Sequence, residues 1–462
     1  MKYSILVIGG GASGLMAAYS AAKTLVASGS DASVAVVEKM PKPGRKIMIT
    51  GKGRCNFTNL KPWNAFSTHI RSNQNFVKGA FHSLPPEKVI AFFESFGMKT
   101  VIERGDRAYP ASYHASDVVD TLVNACNSVG VKILCDTEVL GLERIPDGFV
   151  LTTGAGSISC RRLILATGGL SYPTTGSTGD GYRWASELGH GIEPQFPSLT
   201  AMVPDGYKDT SLRGHIARET PLSEFGARLC GVQLKNVQVS LFVEGSPCGD
   251  EFGDIDFTDG GLEGPVGFQL SRKAVKALSN GSRVSLSIDM KPGVPLQELS
   301  ARVKELWAEV DKDPRSRGLH EKEKCRILLG KLMPWDLIPA FLTAHPDIVT
   351  SQRKPGVKDR FGHYSTGVTK TFVNLSRIAE ALKKWDFPVE GFVGYERCVI
   401  TAGGVSTDEI VAKTMESRLV EGLHFCGEVM DMDCDTGGYN LQTAFSTGYL
   451  AGQSAAKKML EK

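Results

Sequence analysis

The chain opens with a pattern of apolar and small residues that is typical of a nucleotide-binding unit. Residues 3–8 are almost all apolar, as in a central strand of a parallel sheet, where both faces are buried. A glycine-rich turn follows, and the alanine-rich segment 13–26 predicts a helix. A second apolar run, 33–38, ends in an acidic residue. Together these segments predict a strand–helix–strand unit.

The rest of the chain mixes helical and strand patterns. Amphipathic spacing indicates helices, and short apolar or alternating runs indicate strands. We expect helices at 86–97, 116–130, 296–341 and 375–385, strands at 131–139, 148–153, 160–169, 237–245, 283–290 and 396–405, and a final strand, loop and long helix within 422–459.

These elements predict an α/β fold in which one Rossmann-type domain is split in sequence. The strand at 160–169 returns to the first sheet, and 396–405 runs back toward it. The segment 349–367 has no apolar periodicity and predicts an exposed loop. We expect the Rossmann-type domain at 1–197 and 399–462, an inserted β-rich domain at 198–290 and 366–398, and a helical subdomain at 291–365.

Composition narrows the class of protein. The 462 residues are 42% hydrophobic and 22% charged, the balance of a globular protein of roughly two or three domains. A net charge of +3 does not by itself indicate a nucleic-acid binder. The ten cysteines form no CxxC pair, which favours reduced core residues. The first apolar run is too short for a secretion signal, and no segment approaches the ~18–20 apolar residues that span a bilayer. The sequence predicts a cytoplasmic protein without a membrane partner.

The strongest chemical signal is the turn Gly9-x-Gly11-x-x-Gly14. Gly9 permits the turn, Gly11 lets the backbone approach a pyrophosphate, and Gly14 lets the helix pack on the strand. The helix start at Ala12 and Ser13 then presents N–H groups to the phosphates. A chance glycine-rich turn is the alternative, but strand, helix and acidic residue in place favour dinucleotide binding.

Two further features favour FAD as that dinucleotide. Glu38, at the end of the second strand, is placed to hold the adenosine ribose hydroxyls, and an acid there argues against an NADP phosphate. Near the C terminus a strand delivers Gly427 and Glu428, and a Gly437-Gly438 turn begins a helix. The N–H groups of such a turn can stabilise the anionic N1–C2=O edge of a reduced flavin. The alternative is a glycine cap before an ordinary amphipathic helix.

Four other segments stand out: ITGKGRCNFTN, LATGGLSYPTTGSTGDGY, TMESRLVEGLHFCGE and DTGGYNLQTAFSTG. Together they resemble the BaiN/RdsA-type family of bacterial NAD(P)/FAD-dependent oxidoreductases, which also bears the label aminoacetone oxidase family. The resemblance is thin from about residue 203 to residue 368. It implies tight, non-covalent FAD under a two-part insertion, with cofactor contacts at Gly44, Arg45, Thr50, Gly51, Arg54, Asn56, Gly168, Gly427, Glu428, Asn440, Leu441 and Gln442. We also place the cofactor against Lys39, Lys46, Cys55, Val139, Ala166, Thr167 and Tyr439.

The chain departs from the family pattern in two places. Where the family has Phe-Thr-His-x-Gly-x-Ser-Gly-Pro, residues 257–265 carry Asp259 and Glu263 in place of the histidine and the serine. Three explanations are open for this change. Asp259 takes over a catalytic role of the histidine, the activity differs from that of the family, or the substitution is simply tolerated in a turn. The loop 351–366 is also enlarged.

A basic segment follows the second strand. Its lysines are explained as a solvated face, and its arginines as groups that attract an anionic substrate, either a nicotinamide phosphate or an RNA backbone. Arg45 and Arg54 are the stronger candidates because guanidinium binds phosphate in a bidentate manner. The segment contains Lys39, Lys42, Arg45, Lys46, Lys52 and Arg54.

Other chemistry-bearing residues give weaker signals. Cys55 has no partner cysteine near it in sequence and is better explained as a packing residue than as a redox group. The nine histidines show no metal-ligand spacing, so no metal is predicted. Tyr172 and Tyr439 are candidate proton donors, with packing as the equal alternative. Gly154 lies in GAGSIS, which lacks the third glycine and falls in a predicted hairpin, so NAD(P)H would bind without a Rossmann domain of its own.

The resulting hypothesis is an FAD-dependent oxidoreductase in which NAD(P)H, a transient reductant, reduces FAD and the flavin then reduces a polarised C=C bond of a small molecule. The candidate catalytic residues are Tyr439, Asn440 and Asp259. One alternative is an rRNA dihydrouridine synthase that reduces C5=C6 of uridine in 23S rRNA. Others are an amine oxidase that releases peroxide and a flavin-binding scaffold without catalysis.

Overall fold

The apolar runs of the sequence form the strands of the structure. The computed structural model describes residues 1–354 and 368–461. In chain order the strands of this described part are β1 (Lys2–Ile8), β2 (Val34–Val37), β3 (Thr58–Asn59), β4 (Thr100–Glu103), β5 (Arg107–Pro110), β6 (Lys132–Leu134), β7 (Val139–Ile145), β8 (Gly148–Thr153), β9 (Gly156–Leu165), β10 (Ile192–Ser198), β11 (Met202–Pro204), β12 (Gly214–His215), β13 (Gln233–Val243), β14 (Ser246–Thr258), β15 (Gly261–Glu263), β16 (Val284–Asp289), β17 (Val349–Lys354), β18 (Val368–Val373), β19 (Trp385–Phe392), β20 (Ile400–Val405), β21 (Ile410–Val411), β22 (Glu416–Ser417) and β23 (Leu423–Phe425).

The helices fall mostly where amphipathic spacing predicts them. Within the same described residues they are α1 (Ala12–Ala27), α2 (Arg45–Ile49), α3 (Trp63–Phe66), α4 (Gln74–Ser83), α5 (Pro86–Ser95), α6 (Ala115–Ser128), α7 (Asp180–Glu187), α8 (Glu224–Leu229), α9 (Gly264–Ser279), α10 (Leu296–Lys312), α11 (Glu321–Gly330), α12 (Ile338–Ala344), α13 (Leu375–Lys383) and α14 (Tyr439–Leu460). Short 3₁₀ turns occur at Thr50–Gly53, Ser67–His69, Pro173–Thr175, Pro314–Ser316, Trp335–Leu337, Thr407–Glu409 and Gly427–Val429.

Two compact units share the chain. The first comprises residues 1–199 and 395–462, and the second comprises residues 200–394. The sequence patterns placed the corresponding boundaries at 198 and 398. Each unit has its own cluster of buried apolar residues.

A nine-stranded sheet forms the centre of the first unit. Its main path runs β21-β22-β23-β9-β1-β2-β6, with the β7-β8 hairpin attached through β8 to β9. Four pairings of this sheet are parallel, as a Rossmann-type sheet requires: β1 with β2, β1 with β9, β2 with β6 and β23 with β9. The β8 strand of the hairpin pairs with β9 antiparallel. Residues 5–8 and 34–37 are buried on both faces, which is why they read as unbroken apolar runs. The predicted α/β fold is confirmed.

The first and last helices of the first unit pack through glycine rather than through interlocking side chains. A Cβ on Gly448 would overlap the carbonyl oxygen of Ser13, and a Cβ on Gly452 would overlap that of Ala17. Helix α14 therefore lies directly against the backbone of α1. This contact brings the two ends of the chain to one side of the sheet.

Two smaller sheets complete the first unit. The strands β3, β5 and β4 form an antiparallel sheet, and β10 pairs with β20. The expectation that 396–405 runs back to the large sheet is wrong, because β20 pairs with β10 instead. Gly154 lies in the turn between β8 and β9, as the predicted hairpin requires.

A closed antiparallel sheet forms the centre of the second unit. The order β11-β15-β14-β13-β16-β19 closes through a pairing of β11 with β19, and β12 adds to β19 in parallel. The predicted β-rich insertion is thus a barrel. Helices α10 to α13 pack in the same apolar core, since Leu299, Leu328, Phe341 and Ile378 are buried there together with the barrel strands.

The expected exposed loop is partly a strand. Residues 349–354 form β17, which pairs with β18 from Val349↔Val373 to Lys354↔Val368. The segment TSQRK is polar throughout and gives no apolar period, so the sequence pattern concealed this ribbon. The rest of the predicted loop, 355–367, lies outside the described residues.

We expect Gly452→Ala to lower the free energy of unfolding by about 1–3 kcal/mol, because the added methyl group forces α14 away from the Ala17 carbonyl. Chemical denaturation of the purified protein measures the change. Gly154→Ala is the matched control, since no atom lies within 4 Å of its Cβ position. Equal stability of the two variants would contradict the close packing.

The barrel carries a pH-sensitive carboxyl group. Burial, with a smaller contribution from the facing Asp205, raises the pKa of Glu390 from 4.5 to about 7, whereas Arg213 acts in the opposite direction. The folded state therefore binds this proton more tightly than the unfolded chain does. Its stabilising contribution is complete below pH 4.5 and is lost as the pH rises through 7.

We accordingly expect the temperature of the thermal transition of wild type to fall relative to that of Glu390→Gln as the pH rises from 5 to 8. The reason is that glutamine has no proton to lose. Calorimetry at several pH values measures the difference. Glu305→Gln is the control, because Glu305 lies on the exposed face of α10. A constant difference across that range would refute the assignment.

Candidate functional site

The turn after β1 brings backbone N–H groups to a cleft in the first unit. Gly9 has φ +107°, and a Cβ on Gly14 would overlap the Gly9 carbonyl oxygen. Helix α1 begins with Gly11 as its N-cap and has no side-chain cap hydrogen bond. The first N–H groups and the positive dipole end of α1 are therefore available to an anion. The cleft encloses about 1340 Å³ of empty space, its open side included.

Glu38 borders the same cleft at the end of β2. Its Oε2 accepts a hydrogen bond from the Gly10 backbone N–H at 2.7 Å, and its Oε1 accepts one from Met40 at 2.8 Å. These bonds hold the carboxylate in one orientation. Because each carboxylate oxygen has a second acceptor position, Glu38 can also bind the hydroxyls of a ribose.

A partly buried ion pair lies on another wall of the cleft. The Lys46 Nζ is 2.8 Å from Glu428 Oε2 and 2.7 Å from Ser171 Oγ. Glu428 Oε1 accepts from Ser171 Oγ at 2.8 Å and from the Thr401 backbone N–H at 2.9 Å. The carboxylate is thus held by three donors, and it holds the ammonium at a defined place on the cleft wall.

The other cations of the basic segment differ in their partners. Lys39 pairs with Asp180 at 2.8 Å and bonds Thr178. Burial alone would raise the pKa of Asp180, but the hydrogen bonds from Lys39 and Thr178 outweigh it and lower that pKa. Lys42 and Arg45 also line the cleft and have no ion-pair partner in residues 1–354 and 368–461. These two are the cations most available to a phosphate group.

The C-terminal turn provides a second helix N-terminus. Gly437 and Gly438 have φ +118° and +93°, and α14 begins after them without a side-chain cap. The Asn56 amide packs against this turn, because a Cβ on Gly438 would overlap Asn56 Oδ1. Both polar atoms of Asn56 are buried and have no hydrogen-bond partner within the described part of the chain.

Two predicted cofactor residues instead hold this turn together. Asn440 Oδ1 accepts from the Cys434 N–H at 2.9 Å, and its Nδ2 donates to the carbonyls of Cys434 and Asp435. Gln442 is fully buried and donates to the Leu84 carbonyl at 2.8 Å. Asn440 therefore lines the cleft as a residue of α14, while its side-chain amide forms hydrogen bonds with the backbone of the preceding loop. The expectation of a catalytic Asn440 side chain is not supported by these contacts.

Most of the predicted cofactor residues border the one cleft. Those that do are Gly9, Gly11, Ala12, Ser13, Glu38, Lys39, Gly44, Arg45, Lys46, Thr50, Val139, Ala166, Thr167, Gly168, Gly427, Glu428, Asn440 and Leu441. Those outside its lining are Gly14, Gly51, Arg54, Cys55, Asn56, Gly437, Gly438, Tyr439 and Gln442.

Arg54 and Cys55 differ from their expected role. The Arg54 guanidinium lies 3.6 Å from Glu103 and over the rings of Tyr109 and Tyr113, at 5.0 and 5.6 Å from their centroids. It is half exposed and does not line the cleft. Cys55 is fully buried, and burial raises the pKa of its thiol to about 12, so it is a packing residue.

Asp259 belongs to the second unit, at the turn between β14 and β15. Its Oδ2 lies 3.9 Å from Arg218 Nε of the same unit, and its side chain is 56% exposed. Glu263, the other substituted position, is buried at the end of β15. Tyr172 lies in the first unit outside the cleft lining, where its N–H donates to the Tyr395 carbonyl.

The sequence patterns missed several residues that shape the site. Ser171 and Asp180 lie within the segment LATGGLSYPTTGSTGDGY, whose density of small polar residues was a usable signal. Thr401 gave no signal, because it is brought to Glu428 only by the fold. In the described residues no group of three or more His, Cys, Asp or Glu side chains is arranged to hold a metal ion. No helix in that part of the chain is long and apolar enough to cross a bilayer.

Comparison with known proteins supports a relationship over nearly the whole length. The family profile described as HI0933-like protein Rossmann domain matches residues 3–454. The chain is 30% identical over 455 residues to a 3-dehydro-bile acid delta(4,6)-reductase of Clostridium scindens, with 98% of each chain covered. It is 30% identical over 469 residues to a ribosomal RNA dihydrouridine synthase of Haemophilus influenzae, again with 98% of each covered.

A solved structure gives a weaker likeness. The 3-ketosteroid delta1-dehydrogenase of Sterolibacterium denitrificans, in complex with 1,4-androstadiene-3,17-dione, has a TM-score of 0.48 and 14% identity. The match covers 99% of this chain and 100% of that one. A likeness at this level carries no information on substrate.

We expect Cys55 to resist alkylation in the native protein at pH 8, because its thiol is buried and almost wholly protonated. Mass spectrometry after brief iodoacetamide treatment measures the labelling. The half-buried Cys248 is the internal control for reagent activity. Rapid native labelling of Cys55 would restore the redox hypothesis.

Proposed function

Because the chain belongs to the HI0933-like Rossmann family, a family of FAD-dependent oxidoreductases, we propose that it holds FAD in this cleft and reduces a C=C bond conjugated to a carbonyl group. The family resemblance that the four sequence motifs indicated is confirmed by the profile match and by the two named relatives. NAD(P)H is the proposed reductant.

The Asn56 amide is the observation that carries the cofactor assignment: it packs against the start of α14 just outside the cleft lining and has no hydrogen-bond partner among the described residues. A buried donor and acceptor without partners is unfavourable by about 1–3 kcal/mol per group, so a ligand that satisfies both is expected. A carboxamide matches the adjacent N–H and C=O groups on the pyrimidine edge of a flavin. The uncapped start of α14 lies beside it and favours the negative charge that a reduced flavin carries there.

The two uncapped helix starts are separated as FAD would require. Gly448 of α14 lies against Ser13 near the start of α1, and α14 begins nine residues earlier, at Tyr439. At 1.5 Å per residue, α14 therefore starts roughly 12 Å beyond α1. This spacing supports a pyrophosphate at α1 and, one ribityl chain away, the flavin ring at α14.

The protein's own side chains would then bind and orient the cofactor. Glu38 accepts from the ribose hydroxyls, and Arg45 and Lys42 face the phosphate charge. The Lys46–Glu428 pair has no net charge and keeps an ammonium N–H donor at a fixed place on the cleft wall. When bound, FAD supplies hydride transfer in both directions.

The substrate class rests on what the relatives have in common. A delta(4,6)-reductase of a 3-oxo bile acid and a dihydrouridine synthase both saturate a C=C bond conjugated to a carbonyl. The same bond type accepts a hydride at one carbon and a proton at its neighbour. We propose a small enone as the substrate, since a net charge of +3 provides little general attraction for RNA.

A second candidate function is uridine reduction in ribosomal RNA. Half-exposed Arg54 lies over the exposed ring of Tyr113 and over the buried Tyr109, and an exposed guanidinium beside an aromatic ring is a combination that binds unstacked bases. Arg54→Ala would then weaken salt-sensitive binding to 23S rRNA. Equal, salt-insensitive binding of both proteins would remove this candidate.

We expect Asn56→Leu to weaken FAD binding by about 10- to 100-fold while leaving the apoprotein at least as stable, because it removes two buried groups that lack partners in residues 1–354 and 368–461. Fluorescence titration of apoprotein with FAD and thermal unfolding measure the two effects. Asn59→Leu is the contrasting control, since Asn59 donates to the Gly105 and Gly437 carbonyls. Loss of apoprotein stability in Asn56→Leu, with unchanged FAD affinity, would contradict the assignment.

The activity is tested by anaerobic absorbance of the FAD-loaded protein. NADH or NADPH is expected to bleach the flavin band, and a steroid 4,6-dien-3-one is expected to restore it with formation of the saturated product. Bleaching by neither nucleotide would refute the proposed reductant. Reduction by amines with peroxide release in air would favour an amine oxidase instead.

A further inference from the structure

A cluster of charged side chains lies beside the Gly437-Gly438 turn, outside the lining of the cleft. Asp435, which is 1% exposed, accepts from the guanidinium of Arg71 and lies 2.9 Å from Nδ1 of His69. Nε2 of the same imidazole lies 3.1 Å from Nζ of Lys61. Because an ammonium group only donates, Nε2 is the acceptor and the ring proton resides on Nδ1. The imidazole is thus fixed at both nitrogens.

This imidazole supports the ring of Tyr439. The two rings stack with centroids 4.2 Å apart at 16°, and Phe66 packs on Tyr439 edge-on at 5.0 Å. Lys61 Nζ lies 5.9 Å from the Tyr439 centroid. The phenol ring is therefore held in one orientation by aromatic contacts on two sides.

The hydroxyl of Tyr439 contrasts with its immobile ring. Only 3% of the residue is exposed, yet the hydroxyl makes no hydrogen bond to any group in residues 1–354 and 368–461. A hydroxyl in such surroundings normally has a partner. Tyr439 is also the first residue of α14, directly before Asn440 and Leu441, which line the cleft. The hydroxyl is not among the side-chain polar atoms that are closed to solvent, so it is open to a water molecule or to a ligand beside the cleft.

The charges around Tyr439 suit a group that keeps its proton until it reacts. Burial, and then the negative charges of Asp435 and Asp106, raise the pKa of Tyr439, while Arg107 acts against them. The phenol is thus protonated at neutral pH. Lys61 and the positive end of α14 lie close enough to stabilise the phenolate once the proton has left.

We propose that the Tyr439 hydroxyl is the proton donor of the alkene reduction and that His69 and Lys61 are positioning residues for it; this rests on the proposed function. As a hydride from the reduced cofactor adds to one alkene carbon, the π electron pair moves to the neighbouring carbon. That carbon takes the proton, so the O–H bond of Tyr439 breaks and a C–H bond forms. The substrate gains two electrons, which NAD(P)H supplied, and the phenolate regains its proton from water beside Lys61.

The test separates the two half-reactions by anaerobic rapid mixing. Tyr439→Phe is expected to keep the wild-type flavin spectrum. Its flavin is also expected to be reduced by NAD(P)H at the wild-type rate, because that half-reaction does not use the proton of the Tyr439 hydroxyl. Reoxidation by the steroid dienone is expected to slow by about 100-fold or more, and its solvent deuterium isotope effect to change. Tyr449→Phe, on the same helix, is the matched control and is expected to behave as wild type.

His69→Gln and Lys61→Met extend the test if Tyr439→Phe does not fold. Each is expected to slow dienone reoxidation by about 10-fold with an unchanged flavin spectrum and reduction rate, and Lys61→Arg is expected to restore it. Reoxidation at the wild-type rate in all these variants would overturn the donor assignment and leave the proposed function intact. A wild-type protein whose reduced flavin is reoxidised by neither dienone nor uridine would refute the proposed function itself, and the donor assignment with it.

Discussion

The close contact between the first and last helices is the constraint on which the site depends. Gly448 and Gly452 leave no side chain between α14 and the carbonyls of α1, so the C-terminal motif is held against the N-terminal one. The hydroxyl of Ser13 completes the contact by donating to the Cys426 carbonyl, 413 residues away in sequence. A larger residue at either glycine would separate the two helices and, with them, the two halves of the cleft.

This packing places two uncapped helix starts on one cleft. Unsatisfied N–H groups at a helix start are usually capped by a side chain, and here neither α1 nor α14 has such a cap. The same region contains the amide of Asn56 and the cations Lys42 and Arg45, for which the described residues supply no hydrogen-bond or ion-pair partner, respectively. Groups that a stable fold would normally satisfy internally are left for a ligand, which is how a binding site differs from a core.

Two carboxylates fix charged groups at and beside this cleft. Glu428 is held by Ser171 and Thr401 and in turn holds Lys46, while Asp435 holds Arg71 and His69. Each carboxylate is buried or nearly so, and each has several donors, which is the condition under which a buried charge is tolerated. The second unit contributes its own carboxylate, Asp259, at a position where the family pattern has histidine, and its pairing with Arg218 stays within the barrel.

The sequence by itself determined the parts that rest on local pattern: β1, α1 and β2, the glycine turn, the acid at the end of β2 and the glycine start of α14. These features are readable because strand periodicity, helix composition and glycine conformation are properties of neighbouring residues. Only the tertiary structure decided that Arg54 faces tyrosines instead of the cleft and that 349–354 is a strand. It also decided that the side-chain amides of Gln442 and Asn440 form hydrogen bonds within the protein, and that His69 stacks on Tyr439. Those outcomes depend on which partner the fold supplies, and for Gln442 and His69 that partner lies hundreds of residues away, beyond the reach of any local pattern.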